Sequence, residues 1–342
     1  MAMLVRLVLV LPSPTVGCRW GLTFNLRNET AAHDPTHWIL ESENSLCKQA
    51  WVEPFLPGIE QERLYDERLV SARNHKTNID GFGVGWFGED GTAHVCKSGC
   101  GIVDESLNPC PELHSALLLL DLRSHVVFGH VRSGTQGVNS EDNAHPFVFK
   151  LNGSQFLWMH NGGVACFVHL NAHLRLHVSP FALAQVRGDT DSELAGALFI
   201  THLEAQSQHR MKTPREGRYS PENVGAALAA TIHDLAALDD LIAILEVESS
   251  TCKAGSSLNF AVSDGFTLAV TRYRSCSKQA PPSLYVHSAA ARGVLQIASE
   301  PWDRRSEGWD LLTKDEMLVA SAEGVFWRQC LSPACIEDTC GM

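Results

Sequence analysis

Three short apolar runs constrain the fold of this chain more than any other feature: Gly81–Phe87 (GFGVGWF), His125–Val131 (HVVFGHV) and Gln155–His160 (QFLWMH). Each reads as a buried strand. The glycines of the first permit close backbone packing, and the third ends at Asn161, Gly162 and Gly163, which read as a turn. Trp20–Phe24 and the segments 258–263, 266–273 and 294–299 add further strands, and Asp264-Gly265 is a hairpin signal. Helical patterns lie between them. Ser192–Ala205 is amphipathic with Asp189 or Thr190 near its N-cap, and Asn223–Leu235 is alanine-rich. The polar stretch 206–221, with two prolines, reads as a surface loop. Strands at both ends with helices between and around them describe a layered α+β domain rather than alternating βαβ units.

The 342 residues leave room for two average domains or one large one. A formal net charge of −12 disfavours nucleic acid, since phosphate binding needs clustered Lys and Arg. No apolar run reaches the ~18 to 20 residues of a membrane span. Eleven scattered cysteines in a chain with a real core point to reduced thiols and a cytoplasmic location. Residues 1–17 do not form a good secretory signal because Arg6 interrupts the apolar stretch; they read as a disordered or removable leader, or a misassigned start.

Five segments carry side chains of chemical interest. Cys18, in Gly17-Cys18-Arg19-Trp20, leads a strand, where a lone cysteine ordinarily serves as a small buried hydrophobe. Asn78–Trp86 is glycine-rich but fails the dinucleotide spacing and lacks a strand-to-helix context. Gly129–Thr135, followed by Asn143–Phe147, places Arg132 at the end of a buried strand, where its charge needs a partner: an internal salt bridge or a substrate carboxylate. Met159–Gly163 can aim a side-chain amide and a backbone N–H at one point, as an oxyanion hole requires, or can form an ordinary turn. Gly188–Glu193 would cap a helix well, or would set a carboxylate against a substrate ammonium.

In this order the segments resemble the class II, or N-terminal-nucleophile, glutamine amidotransferase family. The matching motifs are Cys18-Arg19, then His130-Val131-Arg132-Ser133-Gly134-Thr135, His160-Asn161-Gly162 and Asp191-Ser192-Glu193. Within the family, Asn78–Trp86, Gly129–Phe147, Ser257–Gly265, Pro281–Tyr285 and Ala298–Pro301 are similar to two groups. One is the amidotransferase subunit of the fungal glutathione-degrading complex, the other the γ-glutamyl hydrolase of ergothioneine synthesis. The resemblance implies a four-layer αββα sandwich, with two antiparallel sheets between helix layers, over residues 18–325. Residues 326–342 read as an irregular tail, and residues 28–70 would add a substrate-side loop.

The resemblance also implies a mechanism. Cys18 is the nucleophile, and its own α-amine takes the thiol proton. Reference pKa values of about 8 for the amine and about 8.5 for the thiol make that transfer nearly balanced. Asn161 (side-chain amide) and Gly162 (backbone N–H) would hold the oxyanion. Arg132 would bind the α-carboxylate of the γ-glutamyl group, Asp191 its α-ammonium, and Thr135 would line the same pocket. His130 and His160 are expected to support strands. The implied substrate is glutathione or a related γ-glutamyl compound, with no cofactor and no metal, and relatives imply a metallopeptidase partner subunit. His169, His173 and His177 would share one solvated helix face, and the loosely spaced Cys96, Cys100, Cys110, Cys330, Cys335 and Cys340 are not expected to form a zinc module. Two rival functions remain: a glutaminase that supplies ammonia to a separate synthase, and a non-catalytic regulatory subunit. While residues 1–17 stay attached, Cys18 has no basic amine.

Overall fold

The computed structural model describes residues 17–26, 35–62, 64–67, 78–103, 110–111, 117, 124–134, 137–210, 218–244, 255–289, 293–324 and 326–332. Thirteen strands run in order: β1 (Arg19–Asn25), β2 (Phe82–Phe87), β3 (Ala93–Ser98), β4 (Val126–Val131), β5 (Phe147–Leu151), β6 (Ser154–Gly163), β7 (Ser257–Ser263), β8 (Thr267–Arg272), β9 (Tyr285–Ala289), β10 (Val294–Ala298), β11 (Trp309–Leu311), β12 (Glu316–Ser321) and β13 (Phe326–Cys330). Between β6 and β7 come α1 (Phe167–Leu176), α2 (Pro180–Leu183), α3 (Asp191–Arg210) and α4 (Pro221–Ile244).

The strands make two antiparallel sheets. One has seven strands in the order β11-β9-β10-β1-β4-β2-β3, the other six in the order β13-β12-β8-β7-β6-β5. Side-chain alternation then dictates the layers. On the six-stranded sheet, Phe156, Trp158, Phe260, Val262 and Val319 face Leu194, Leu198, Leu228 and Leu235 of α3 and α4. The intervening residues Leu157, Met159, Ala261, Val270 and Leu318 face Trp20, Leu22, Phe24, Phe128 and Ile297 of the other sheet. The outer face of the seven-stranded sheet carries Val84, Val127, Val131 and Tyr285, covered by Trp38 and Ile39 of the short helical turn His37–Glu41, Leu46 after it, and Ala50 of the turn Lys48–Ala50. The four layers and the α+β class expected from the resemblance are therefore present.

Glycine makes that outer cover possible. Gly21 of β1 and Gly129 of β4 lie directly opposite each other, and the Trp38 indole rests on both. A Cβ at Gly21 would come 3.1 Å from the Trp38 ring, and one at Gly129 would come within 2.9 Å. Trp38 in turn stacks on Trp302 at 4.9 Å between centroids.

Several expectations need correction. Asn161-Gly162-Gly163 is not a turn: β6 continues through it, paired Asn161↔Asn259, Gly162↔Leu258 and Gly163↔Ser257. Tertiary pairing with β7 overrides the local turn preference. The loop expected over 206–221 is shorter, because α3 runs to Arg210 and α4 starts at Pro221, a residue suited to a first helical turn. The tail expected from 326 begins with a strand, since Phe326–Cys330 pairs with β12. Cys166 and Cys330 each take part in a disulfide, against the expectation of reduced thiols. Scattered spacing conceals which cysteines a fold brings together. Among the described residues, no helix is long and apolar enough to cross a membrane.

Candidate active site

Four strands change character at the same end of the gap between the sheets. Along its inward face β1 reads Phe24, Leu22, Trp20 and then, just before the strand, Cys18. Towards that end β4 reads Val126, Phe128 and His130, with Arg132 beyond; β6 reads Leu157, Met159 and Asn161; β7 reads Ala261, Asn259 and Ser257. The registers Trp20↔His130 and Asn161↔Asn259 hold these polar residues level within each sheet. The bond from His130 Nε2–H to the His160 carbonyl, 3.2 Å, ties the two sheets together there.

Cys18 is buried, and its sulfur accepts the backbone N–H of Ser133 at 3.3 Å. Burial pushes the thiol pKa up. The Ser133 N–H and the charges of Arg132 and Arg19 pull it down without fully offsetting burial, and Asp191 pushes it up again. Such a thiol needs a base to become a thiolate.

Asn161 is 1% exposed, and among the described residues neither its Nδ2 nor its Oδ1 has a hydrogen-bond partner. A buried amide left unbonded is costly, so a native site that keeps one points to a ligand atom or a functional role. Gly162, next to it, has φ +146°, and a Cβ there would collide with the Ser257 carbonyl. Only glycine therefore brings β6 against β7 at this level.

Arg132 is held by its own neighbourhood. Nη1 donates to the Asn139 Oδ1 at 3.0 Å and the Asp80 carbonyl at 3.3 Å. The Asp80 carboxylate accepts from Asn139 Nδ2 at 3.2 Å and from the Gly134 N–H at 2.9 Å. Asn139 thus bridges Arg132 to the Asp80 carboxylate, and the Arg132 charge lies within electrostatic reach of Cys18. Asp191 opens α3, its Oδ2 accepting the Val164 N–H at 2.7 Å. Gly163 lies beside that carboxylate: a Cβ there would be 3.5 Å from Oδ2. Thr190 caps the helix through its Oγ1, which accepts from the Glu193 N–H at 3.3 Å. Thr135 lies outside the described residues.

His160 supports the site from behind: Nε2–H donates to the Ser257 carbonyl and Nδ1 accepts from Ser192, each at 2.9 Å. His130 stacks on His145 at 4.1 Å between centroids. Burial holds the His130 pKa down to about 3, and His145 and His160 are also depressed, chiefly by burial. All three are neutral at physiological pH, as supporting residues and not as acids. His173 and His177 stand on the exposed side of α1 with their Nε2 atoms 3.3 Å apart. Among the described residues, no group of three or more His, Cys, Asp or Glu could hold a metal ion.

Sequence reasoning missed Asn259, whose Nδ2 donates to the Pro282 carbonyl at 3.0 Å while its Oδ1, beside Asn161, is unpartnered among the described residues. It also gave no role to Asp80, Asn139 or Glu300. Asn259 lies in the matched stretch Ser257–Gly265, and Glu300 in Ala298–Pro301, so the signal was present without a residue-level reason.

The layers and the polar end of the gap define an N-terminal-nucleophile type of αββα hydrolase fold. Residues 64–280 match the model of the class II glutamine amidotransferases, a span that includes Arg132, Asn161, Gly162 and Asp191 and starts after Cys18. The chain is 30% identical over 267 residues to a probable glutamine amidotransferase, DUG3, of Saccharomyces cerevisiae, covering 77% of this chain and 69% of the yeast protein. Two solved structures share the fold. A glutamine aminotransferase class-II domain protein from Silicibacter pomeroyi aligns with TM-score 0.52 at 21% identity, over 92% of this chain and 100% of its own. An allosteric regulatory enzyme of purine biosynthesis aligns with TM-score 0.51 at 15% identity, over 92% of this chain and 49% of its own. The chain belongs to the class II glutamine amidotransferase family.

Proposed function

We propose that this protein hydrolyses a γ-glutamyl amide bond, with Cys18 as nucleophile and glutathione or a related γ-glutamyl compound as substrate. The observation that carries this reading is the Asn161 amide, buried and without a partner among the described residues, at the same end of the gap as the Cys18 thiol. Attack of the thiolate on the γ-carbonyl forms a tetrahedral oxyanion, which the Asn161 Nδ2–H and the Gly162 N–H receive. Collapse expels the amine, and water then cleaves the thioester. Arg132 binds the α-carboxylate and Asp191 the α-ammonium, with Thr135 lining the pocket; two opposite charges at fixed spacing select an amino-acid head group over a plain amide.

The base is the α-amine of Cys18, so the reaction needs Cys18 as the first residue. The raised thiol pKa makes that base necessary. The preference for glutathione over free glutamine is supported by the stretches Asn78–Trp86, Ser257–Gly265 and Ala298–Pro301, which resemble the subunit of the fungal glutathione-degrading complex. The same resemblance supports a metallopeptidase partner subunit. A cytoplasmic location is supported by the dispersal of the cysteines, while the disulfide-bonded Cys166 and Cys330 weigh against it.

The test is turnover of glutathione and of glutamine by a chain that starts at Cys18, beside its Cys18→Ala variant. Release of glutamate from glutathione, lost in the variant, is expected. A strong preference for glutamine would instead identify an ammonia-supplying glutaminase.

A further inference from the structure

Arg19 follows the nucleophile and is wholly buried. Its Nη1 donates to the carbonyl oxygens on both sides of the Cys18 nitrogen, Gly17 O at 3.0 Å and Cys18 O at 3.1 Å. Its Nε donates to the Glu300 Oε1 at 2.6 Å, and both side chains are out of water. Glu300 cannot swing away, because its Oε2 also accepts from the Asn44 Nδ2 at 3.2 Å and the Phe55 N–H at 2.8 Å. The start of β1 needs no such clamp for its fold. Its register is set by β4 and by Ser299, whose Oγ accepts the Trp20 N–H and whose own N–H donates to the Trp20 carbonyl. A buried ion pair is weak evidence for stability. Its place against the nucleophile's own backbone asks for another explanation.

We propose that Arg19, anchored by Glu300, is a positioning residue that orients the Cys18 α-nitrogen and tunes its basicity when Cys18 is the first residue. This rests on the functional reading above. A guanidinium bonded to the Cys18 carbonyl fixes the rotation of that residue and hence the direction of its nitrogen. A cation so close also disfavours the ammonium form, keeping the amine free to take the thiol proton near neutral pH. Glu300 opposes that effect and limits it. The other charges facing Cys18 are Arg132, after β4, which acts in the same sense as Arg19, and Asp191, at the start of α3, which acts against it. With those two unchanged, variants of Arg19 and Glu300 shift the acid limb of the pH profile in opposite directions.

The test is the pH dependence of kcat/KM on a γ-glutamyl substrate, using chain whose first residue is verified by intact mass as Cys18. Arg19→Met should move the acid limb up by about one pH unit. Arg19→Lys, which keeps the charge, should restore it, and Glu300→Gln should move it down. Limbs that stay in place, or that move the same way in both variants, would overturn the inference, whatever happens to kcat. Should Arg19→Met not fold, Glu300→Gln decides alone, since it keeps the side-chain volume and must shift the limb down. If Cys18→Ala keeps full turnover, the functional reading fails and this inference with it. If Cys18→Ala is dead and the limbs do not move, only this inference fails.

Discussion

The middle of the gap between the two sheets and its polar end are built from the same four strands, yet they obey opposite rules. In the middle, the side chains of Leu22, Phe128, Leu157, Met159 and Ala261 pack together as one apolar cluster. Two residues further along the same inward faces stand His130, Asn161 and Asn259, each with a buried polar atom that lacks a partner among the described residues. Period-2 alternation continues unbroken across the change, so the fold does not require it. The middle contributes burial; the end departs from that rule, as the proposed site there would require.

The largest effect separates two neighbours on β6. Asn161→Ala should lower kcat by about 100- to 1,000-fold while leaving the thermal midpoint unchanged or raised, because it removes an unsatisfied buried amide. Met159→Ala, one step into the apolar middle, should cost about 2–5 kcal/mol of stability in urea melts and leave turnover per folded molecule close to normal. If both variants lose stability alike, the contrast between the two regions is broken.

The histidines sharpen the comparison through pH. His130, His145 and His160 are held neutral by burial, so their folded-state pKa values lie below those of the unfolded chain. Their contribution is intact above about pH 6.5 and is lost as pH falls, over the range down to about 3 for His130. Each costs up to about 1.4 kcal/mol per pH unit within its window. Urea midpoints at pH 7.5 and 5.5 should therefore differ markedly, and a His130→Asn variant should show a shallower fall. An identical pH dependence in the variant would contradict the assignment.

The smallest effect concerns the opposite face of the seven-stranded sheet. Gly129→Ala pushes into Trp38 and should cost about 1–3 kcal/mol by overpacking. The acid limb of kcat/KM should stay in place, since the Arg19–Glu300 pair is untouched. Thermal melts together with a pH profile would check both parts.

The strands were legible because their apolar runs are short and dense: β1, β2, β4, β7, β8 and β10 fall within a residue or two of their expected bounds. The end of β6 was not, because Asn161-Gly162-Gly163 has turn chemistry and only pairing with β7 makes it extended. Of the expected site residues, Cys18, Arg132, Asn161, Gly162 and Asp191 gather around the polar end of the gap, although they are spread over much of the chain. Order along the chain made them visible only as a set. Glu300 escaped because nothing local marks a carboxylate that meets Arg19 from 281 positions away. Asn139 was hidden for a similar reason, as it bonds Arg132 directly and links it to the Asp80 carboxylate.

The central claim is that the polar end of the gap works through the Cys18 sulfur. Its most direct test is mass spectrometry with peptide mapping, on chain beginning at Cys18, after treatment with a glutamine analogue carrying an electrophilic ketone in place of the amide. A single adduct on Cys18, suppressed by excess γ-glutamyl substrate and absent from Asp191→Asn at the same analogue concentration, is the expected result. Labelling of other cysteines with Cys18 unmodified, or labelling of Cys18 that substrate does not slow, would contradict it.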